Sequence, residues 1–164
     1  DSHAAAVPSR AIRGQILDAG AGTGLVGRCL ADLGYTDLTA MDMSPAMLEE
    51  SRARNLYRAL HRMVMGQPLD FPSDTFDAVI SVGVFIIGHA PAPSFDELVR
   101  VTRAGGHLIF TIRLDVFETG GFDRKLASLE AEGKLRLVEV TGPFAPMPKS
   151  KPGSFSQVWA YRVS

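Results

Sequence analysis

Asp18, Gly20, Gly22, Gly24 and Asp42 are the residues whose types and spacing bear most directly on chemistry. An apolar run, Ile16 to Ala19, leads into Gly20-Ala21-Gly22-Thr23-Gly24, where glycines alternate with small residues, and a helical pattern follows. That order predicts a strand, a tight turn and a helix N-terminus, the opening of a nucleotide-binding βα unit. Glycine suits the turn because the bend is sharp and the backbone must come close to a ligand. A second apolar run, Leu38-Thr39-Ala40-Met41, ends at Asp42, where a carboxylate is well placed to grip the two hydroxyls of a ribose.

Two ligands satisfy that spacing. Gly22-x-Gly24-x-x-Gly27 meets the dinucleotide fingerprint, with Asp42 about 20 residues further on. Asp18, two residues before the first glycine, would face the pyrophosphate of a bound dinucleotide, and like charges at short range are costly. S-adenosylmethionine has no phosphate and carries a sulfonium and an ammonium, for which an acid beside the turn is an asset. The residues therefore favour S-adenosylmethionine, with NAD as the competing ligand.

The segment Leu17-Asp18-Ala19-Gly20-Ala21-Gly22-Thr23-Gly24 resembles motif I of the class I S-adenosylmethionine-dependent methyltransferases, and Met41-Asp42-Met43-Ser44 resembles their acidic second motif. Phe71 to Ile80 is similar to the family's approach to strand four, and Arg100 to Leu108 to its turn into strand five. Within the family, Gly24-Leu25-Val26, Ser44 to Glu49, Gly66-Gln67 and Phe76 to Val79 resemble the methyltransferase-like proteins. The resemblance implies an α/β, Rossmann-like three-layer sandwich, a mainly parallel seven-stranded sheet with the last strand antiparallel.

The resemblance also implies roles. Gly20 and Gly22 would line the methionine part of the cofactor, Ala21, Thr23 and Gly24 would bind it from the same loop, and Asp18 would organise the loop and the ammonium. Asp42 would take the ribose hydroxyls and Met43 would lie against adenine, a thioether on a purine face. Val82 and Gly83 would sit under the methionine carbon chain. Where many relatives carry an acid to read the adenine amino group, this chain has Met65-Gly66-Gln67, so Gln67 or backbone near Gly66 would substitute. His89, after strand four, is the one candidate to face the reacting methyl, its plainer reading being a loop histidine. The acceptor would be a small molecule or a protein. A methyltransferase fold serving as a non-catalytic partner subunit is the alternative from another class.

Composition bounds the rest. The chain has 164 residues, enough for one domain with a substantial core, and a hydrophobic content of 46 % with 21 % charged is ordinary for a globular protein. A net charge of −1 offers no general attraction to nucleic acid or to an anionic membrane. Arg54, Arg58 and Arg62, spaced four apart, read as a solvated helix face rather than a nucleic-acid footprint, since no aromatic residues are interleaved. No Cys/His cluster suggests a metal, no apolar run reaches membrane-spanning length, and the single cysteine, Cys29, suits a reducing, cytoplasmic setting.

These residues need elements to hold them. The pattern predicts a first strand at Ile16–Ala19, then a helix over 24–33 with Leu25, Val26, Cys29, Leu30 and Leu33 on its inner face. A second strand follows at Leu38–Asp42. Ser44 caps a helix with Pro45 at its first position and Met47, Leu48 and Leu56 inward, and His61 closes it. A weak strand falls within 62–65 and a strong one at Phe76–Val82. Ser94 and Glu97 form a capping box for the next helix. A strand at 107–112, a helix at 122–132 and strands at 134–140 and 155–163 complete the chain. Residues 1–14 read as a loose arm or the stub of a missing cap, and 15–164 as the methyltransferase domain. The proline-bearing loops 83–93 and 141–153 are the remaining candidates to roof the site. The expected groove, bounded by Gly20–Gly24, Asp42-Met43, Gly66-Gln67 and Val82–Val84, is open on the acceptor side.

Overall fold

The structure, a computed structural model, describes residues 14–86, 89–143 and 155–164. The strands are β1 (Ile16–Ala19), β2 (Leu38–Asp42), β3 (Ala59–Arg62), β4 (Phe76–Phe85), β5 (Thr102–Arg113), β6 (Leu135–Val140) and β7 (Ser156–Val163). The helices are α1 (Leu25–Asp32), α2 (Pro45–Ala53), α3 (Ser94–Val101), α4 (Leu114–Phe117) and α5 (Phe122–Ala131). One sheet runs β3-β2-β1-β4-β5-β7-β6. β7 runs antiparallel to β5 and β6, and the other pairs are parallel. The Rossmann-like sheet that the resemblance implied is therefore present.

Central strands that carry apolar side chains in both directions need cover on both faces. On one face, Leu17, Val79, Leu108 and Phe110 pack against Phe95 and Leu98 of α3 and Phe122, Leu126 and Leu129 of α5. On the other, Ile16, Ala78, Ile80 and Ile109 meet Leu30 of α1. The first face has an aromatic centre. Phe85 and Phe95 stack with centroids 4.5 Å apart, and Phe110 and Phe122 meet Phe85 edge-on at 6.0 and 5.4 Å.

Several expectations need correction. The strand expected within 62–65 is β3 at Ala59–Arg62. Helix α2 ends earlier than its run of helix formers suggested, because Asn55 takes a left-handed φ of 53°. Arg58 N–H then donates to Leu38 O (2.8 Å), which starts the parallel pairing of Thr39 with Ala59. His61 is consequently a strand residue and caps nothing. Arg54, Arg58 and Arg62 share no helix face. Arg58 pairs with Asp37 at 3.2 Å, and Arg62 Nε donates to Met43 O at 3.2 Å.

The capping box at α3 does not form. Pro93 holds the N-cap position, Ser94 Oγ is buried without a hydrogen-bond partner, and Glu97 turns elsewhere. Its carboxylate accepts from Leu69 N–H at 2.8 Å and from Arg100, whose guanidinium also donates to Leu69 O and Phe71 O, both at 2.9 Å. The pair thus pins the segment before β4 to α3.

On α1 the inner face is formed by Gly27 and Leu30, whereas Leu25 and Leu33 are exposed. Met47 is also exposed on α2, and Leu48 and Ser51 are the buried residues there. The Ser44 cap does form, its Oγ accepting from Met47 N–H at 3.3 Å. The arm at residues 1–13 and most of the 141–153 loop lie outside the described residues, as do Ile87 and Gly88 of the other loop.

Candidate functional site

The strand order reverses between β1 and β4, and in open α/β sheets ligands bind beyond the carboxyl ends of the strands at such a reversal. The glycine turn leaves β1 at this point. Gly20 and Ala21 N–H both donate to Met41 O (2.9 and 3.0 Å), which ties the turn to β2. From behind, Ser51 Oγ donates to Gly22 O at 2.7 Å and Arg54 Nε to Thr23 O at 2.6 Å, so α2 and its C-cap buttress the loop. Gly20 has a φ of 77°, and a Cβ there would collide with the Val84 side chain at the end of β4. At Gly22, φ 56°, a Cβ would meet nothing within 4 Å. The turn is therefore closed on its β4 side and open on its cleft side.

Asp42 ends β2. Its Oδ2 accepts from Gly22 N–H and its Oδ1 from Ser44 N–H, each at 2.9 Å. One carboxylate thus holds the glycine turn and the start of α2, and keeps lone pairs for further donors. Between these elements lies a cavity of about 890 Å³. Gly20–Thr23, Asp42, Ser44 and Val82–Val84 line it together with five methionines, Met41, Met43, Met47, Met63 and Met65. No lysine or arginine lines it, and Asp42 is its one carboxylate among the described residues.

Of the residues singled out in the sequence, Gly20, Ala21, Gly22, Thr23, Asp42, Met43, Val82, Gly83 and His89 line the cavity. His89 is exposed there. Asp18, Gly24, Gly66 and Gln67 do not line it. Gly24 is the N-cap of α1. Gly66 faces Pro91, and Gln67 is exposed beyond the wall made by Met63, Val64 and Met65. Sequence reasoning missed the methionine walls. Met41 and Met43 flank Asp42, but Met47, Met63 and Met65 join them only through the turn of α2 and the register of β3.

Asp18 is buried behind the turn and accepts a hydrogen bond from the Tyr57 hydroxyl at 2.6 Å. Burial pushes its carboxyl up to about 7, the Tyr57 bond pulls it down, and the nearby Asp42 charge pushes it up again. Its counter-charge is therefore only partial near neutrality. Burial and the Asp18 charge drive the Tyr57 hydroxyl well above the usual phenol range.

The shift at Asp18 has a consequence for stability. A folded-state value raised from 3.8 to about 7 means that ionisation is penalised in the fold. The contribution is complete below about pH 4 and is lost as pH rises through 7. An Asp18→Asn variant lacks this loss. Urea unfolding at several pH values is expected to show the variant gaining on the parent between pH 4 and 7, by on the order of a few kcal/mol. A difference independent of pH would refute the shift.

A methyltransferase-domain family model matches residues 17–110 of this chain, more than half of it. The chain belongs to the class I S-adenosylmethionine-dependent methyltransferases. Methyltransferase-like protein 27 of Homo sapiens is 43 % identical to this methyltransferase domain over 99 residues, 60 % of this chain and 40 % of the relative. Malonyl-[acyl-carrier protein] O-methyltransferase of Paenibacillus sp. (strain JDR-2) is 32 % identical over 109 residues, 62 % of this chain and 40 % of the relative. The chain thus spans about two fifths of the length of these relatives. An S-adenosylmethionine-dependent methyltransferase from Mesorhizobium loti superposes with a TM-score of 0.74 at 16 % identity, covering 98 % of this chain and 95 % of that one, a likeness of fold. Among the described residues of the methyltransferase domain no helix is long and apolar enough to cross a membrane.

Proposed function

We propose that this domain holds S-adenosylmethionine in the cavity at the β1–β4 reversal and serves methyl transfer to a small-molecule or protein acceptor, in a reducing, cytoplasmic setting. The observation that carries the reading is the charge inventory of the cavity. Among the described residues Asp42 faces a space lined by no lysine or arginine, so a cationic ligand finds an anion there while a pyrophosphate would find no cation. The open volume beside Gly22 fits a ligand laid along the turn.

In this reading Asp42 accepts the ribose hydroxyls, Gly20 and Gly22 bring backbone against the methionine portion, and Val82-Gly83 supports its carbon chain. Met43, Met63 and Met65 offer thioether and methyl surface to the adenine face. Gly66-Gln67, outside the wall, is left to the adenine edge. When bound, the cofactor supplies a methyl group already activated on a sulfonium and passed to the acceptor by in-line displacement. The chain's own work is to position and to exclude water, so a base such as His89 is required only for an acceptor that arrives protonated. Calorimetric titration with S-adenosylmethionine, S-adenosylhomocysteine and NAD tests the ligand. Binding of the first two and not the third is expected, and NAD binding alone would overturn the reading. Product formation on a panel of small molecules and proteins then separates an enzyme from a cofactor-binding partner subunit.

A further inference from the structure

Tyr57 stands in the turn between α2 and β3, remote in sequence from the glycine motif, yet its hydroxyl donates to Asp18 Oδ2 at 2.6 Å. It gets there across α1. A Cβ at Gly27 would collide with the tyrosine hydroxyl and ring, so the missing side chain opens the path. The ring packs on the cluster of Ile16, Leu30 and Ile80, and the hydroxyl lies close against Gly27 of α1. Residues from β1, α1 and the α2–β3 turn therefore converge behind the loop whose other side lines the cavity.

We propose that Tyr57 is a positioning residue that holds the Asp18 carboxylate behind the glycine turn, so that this carboxylate distinguishes the cationic cofactor from its product. The proposal rests on the S-adenosylmethionine reading. S-adenosylmethionine and S-adenosylhomocysteine differ by one methyl group and one positive charge on sulfur. A buried anion two residues from Gly20 acts on that charge through a medium of low effective dielectric. The groups that govern Asp18 are few. The Tyr57 hydroxyl favours its anion, while burial and the Asp42 charge oppose it. Arg54, which donates to Thr23 O on the glycine turn, favours negative charge on the tyrosine. When Asp18 is protonated the discrimination is lost. Without the Tyr57 donor, ionisation waits for a higher pH.

The test measures affinity for S-adenosylmethionine and for S-adenosylhomocysteine between about pH 5.5 and 8.5, spanning the shifted carboxyl, in the parent, Tyr57→Phe and Asp18→Asn. The sulfonium acidifies the neighbouring ammonium, so the two ligands' own titrations differ; each is measured on the free ligand and the affinity ratio is corrected for it. In the parent the preference for the sulfonium form is expected to rise about tenfold through neutrality. In Tyr57→Phe the rise is displaced upward by roughly one pH unit, and in Asp18→Asn it is absent. A parent ratio that does not change with pH, or a Tyr57→Phe profile that superposes on the parent, overturns the proposal. Urea unfolding against pH without ligand follows Asp18 independently of the cofactor. A displaced profile there, combined with no S-adenosylmethionine binding in any of the three proteins, locates the failure in the cofactor assignment and removes the discriminating role with it.

Discussion

An Asp42→Ala variant is expected to bind S-adenosylmethionine about tenfold to a few hundredfold more weakly than the parent, since hydrogen bonds to a charged group are worth roughly 1.5–3 kcal/mol each and two ribose hydroxyls would lose their acceptor. The loss has a second source. The carboxylate holds Gly22 N–H and Ser44 N–H, so its removal frees the glycine turn and the first turn of α2 together. Urea unfolding should register this as roughly 1–3 kcal/mol without loss of the fold. Calorimetry on the folded variant checks the affinity, and an unchanged titration would sink the ribose assignment.

The largest effect on stability is expected from Phe95→Ala. Phe95 is fully buried on α3, stacked on Phe85 and within 4.7 Å centroid distance of Phe110. Truncating a buried phenylalanine typically costs about 3–5 kcal/mol, from lost transfer energy and from the cavity left behind. The effect reaches the site, because Phe85 closes the strand that carries Gly83 and Val84 into the cavity wall. Equilibrium urea denaturation measures the first effect, and cofactor titration of the folded fraction measures the second. A destabilisation below about 1 kcal/mol would mean that the aromatic centre is not packed as described.

Much of this was legible in the chain. The β1 turn and the acid at Asp42 were readable because short-range chemistry dictates them. Gly20 needs its positive φ, and Asp42 follows directly on an apolar strand. Ser44 and Pro45 likewise declare the start of α2.

The misreadings arose where tertiary pairing overrode local pattern. The stretch from Glu50 to His61 is rich in helix formers, and one left-handed asparagine after α2 and the Arg58–Leu38 bond turn its end into β3. Ser94 and Glu97 have capping-box spacing, but Arg100 and the Leu69 N–H compete for the same carboxylate and win it. Tyr57 carries no local signal at all. Its partners, Asp18 and Gly27, belong to other elements, and only the closed sheet brings the three together.

The methionine walls have a practical consequence. Five of the six methionines in the sequence line this cavity. Their thioether methyl groups rotate freely and are sharp reporters of their surroundings. Carbon-13 labelling of methionine alone would therefore yield a spectrum of about half a dozen lines, nearly all from residues that line the cavity. Met41, fully buried beside Asp42, and Met43, largely exposed at the mouth, stand at opposite depths and give that spectrum an internal ruler. Aromatic ring currents from an entering purine would move these lines in order of depth. Occupancy and orientation could then be followed without modifying the ligand or the chain.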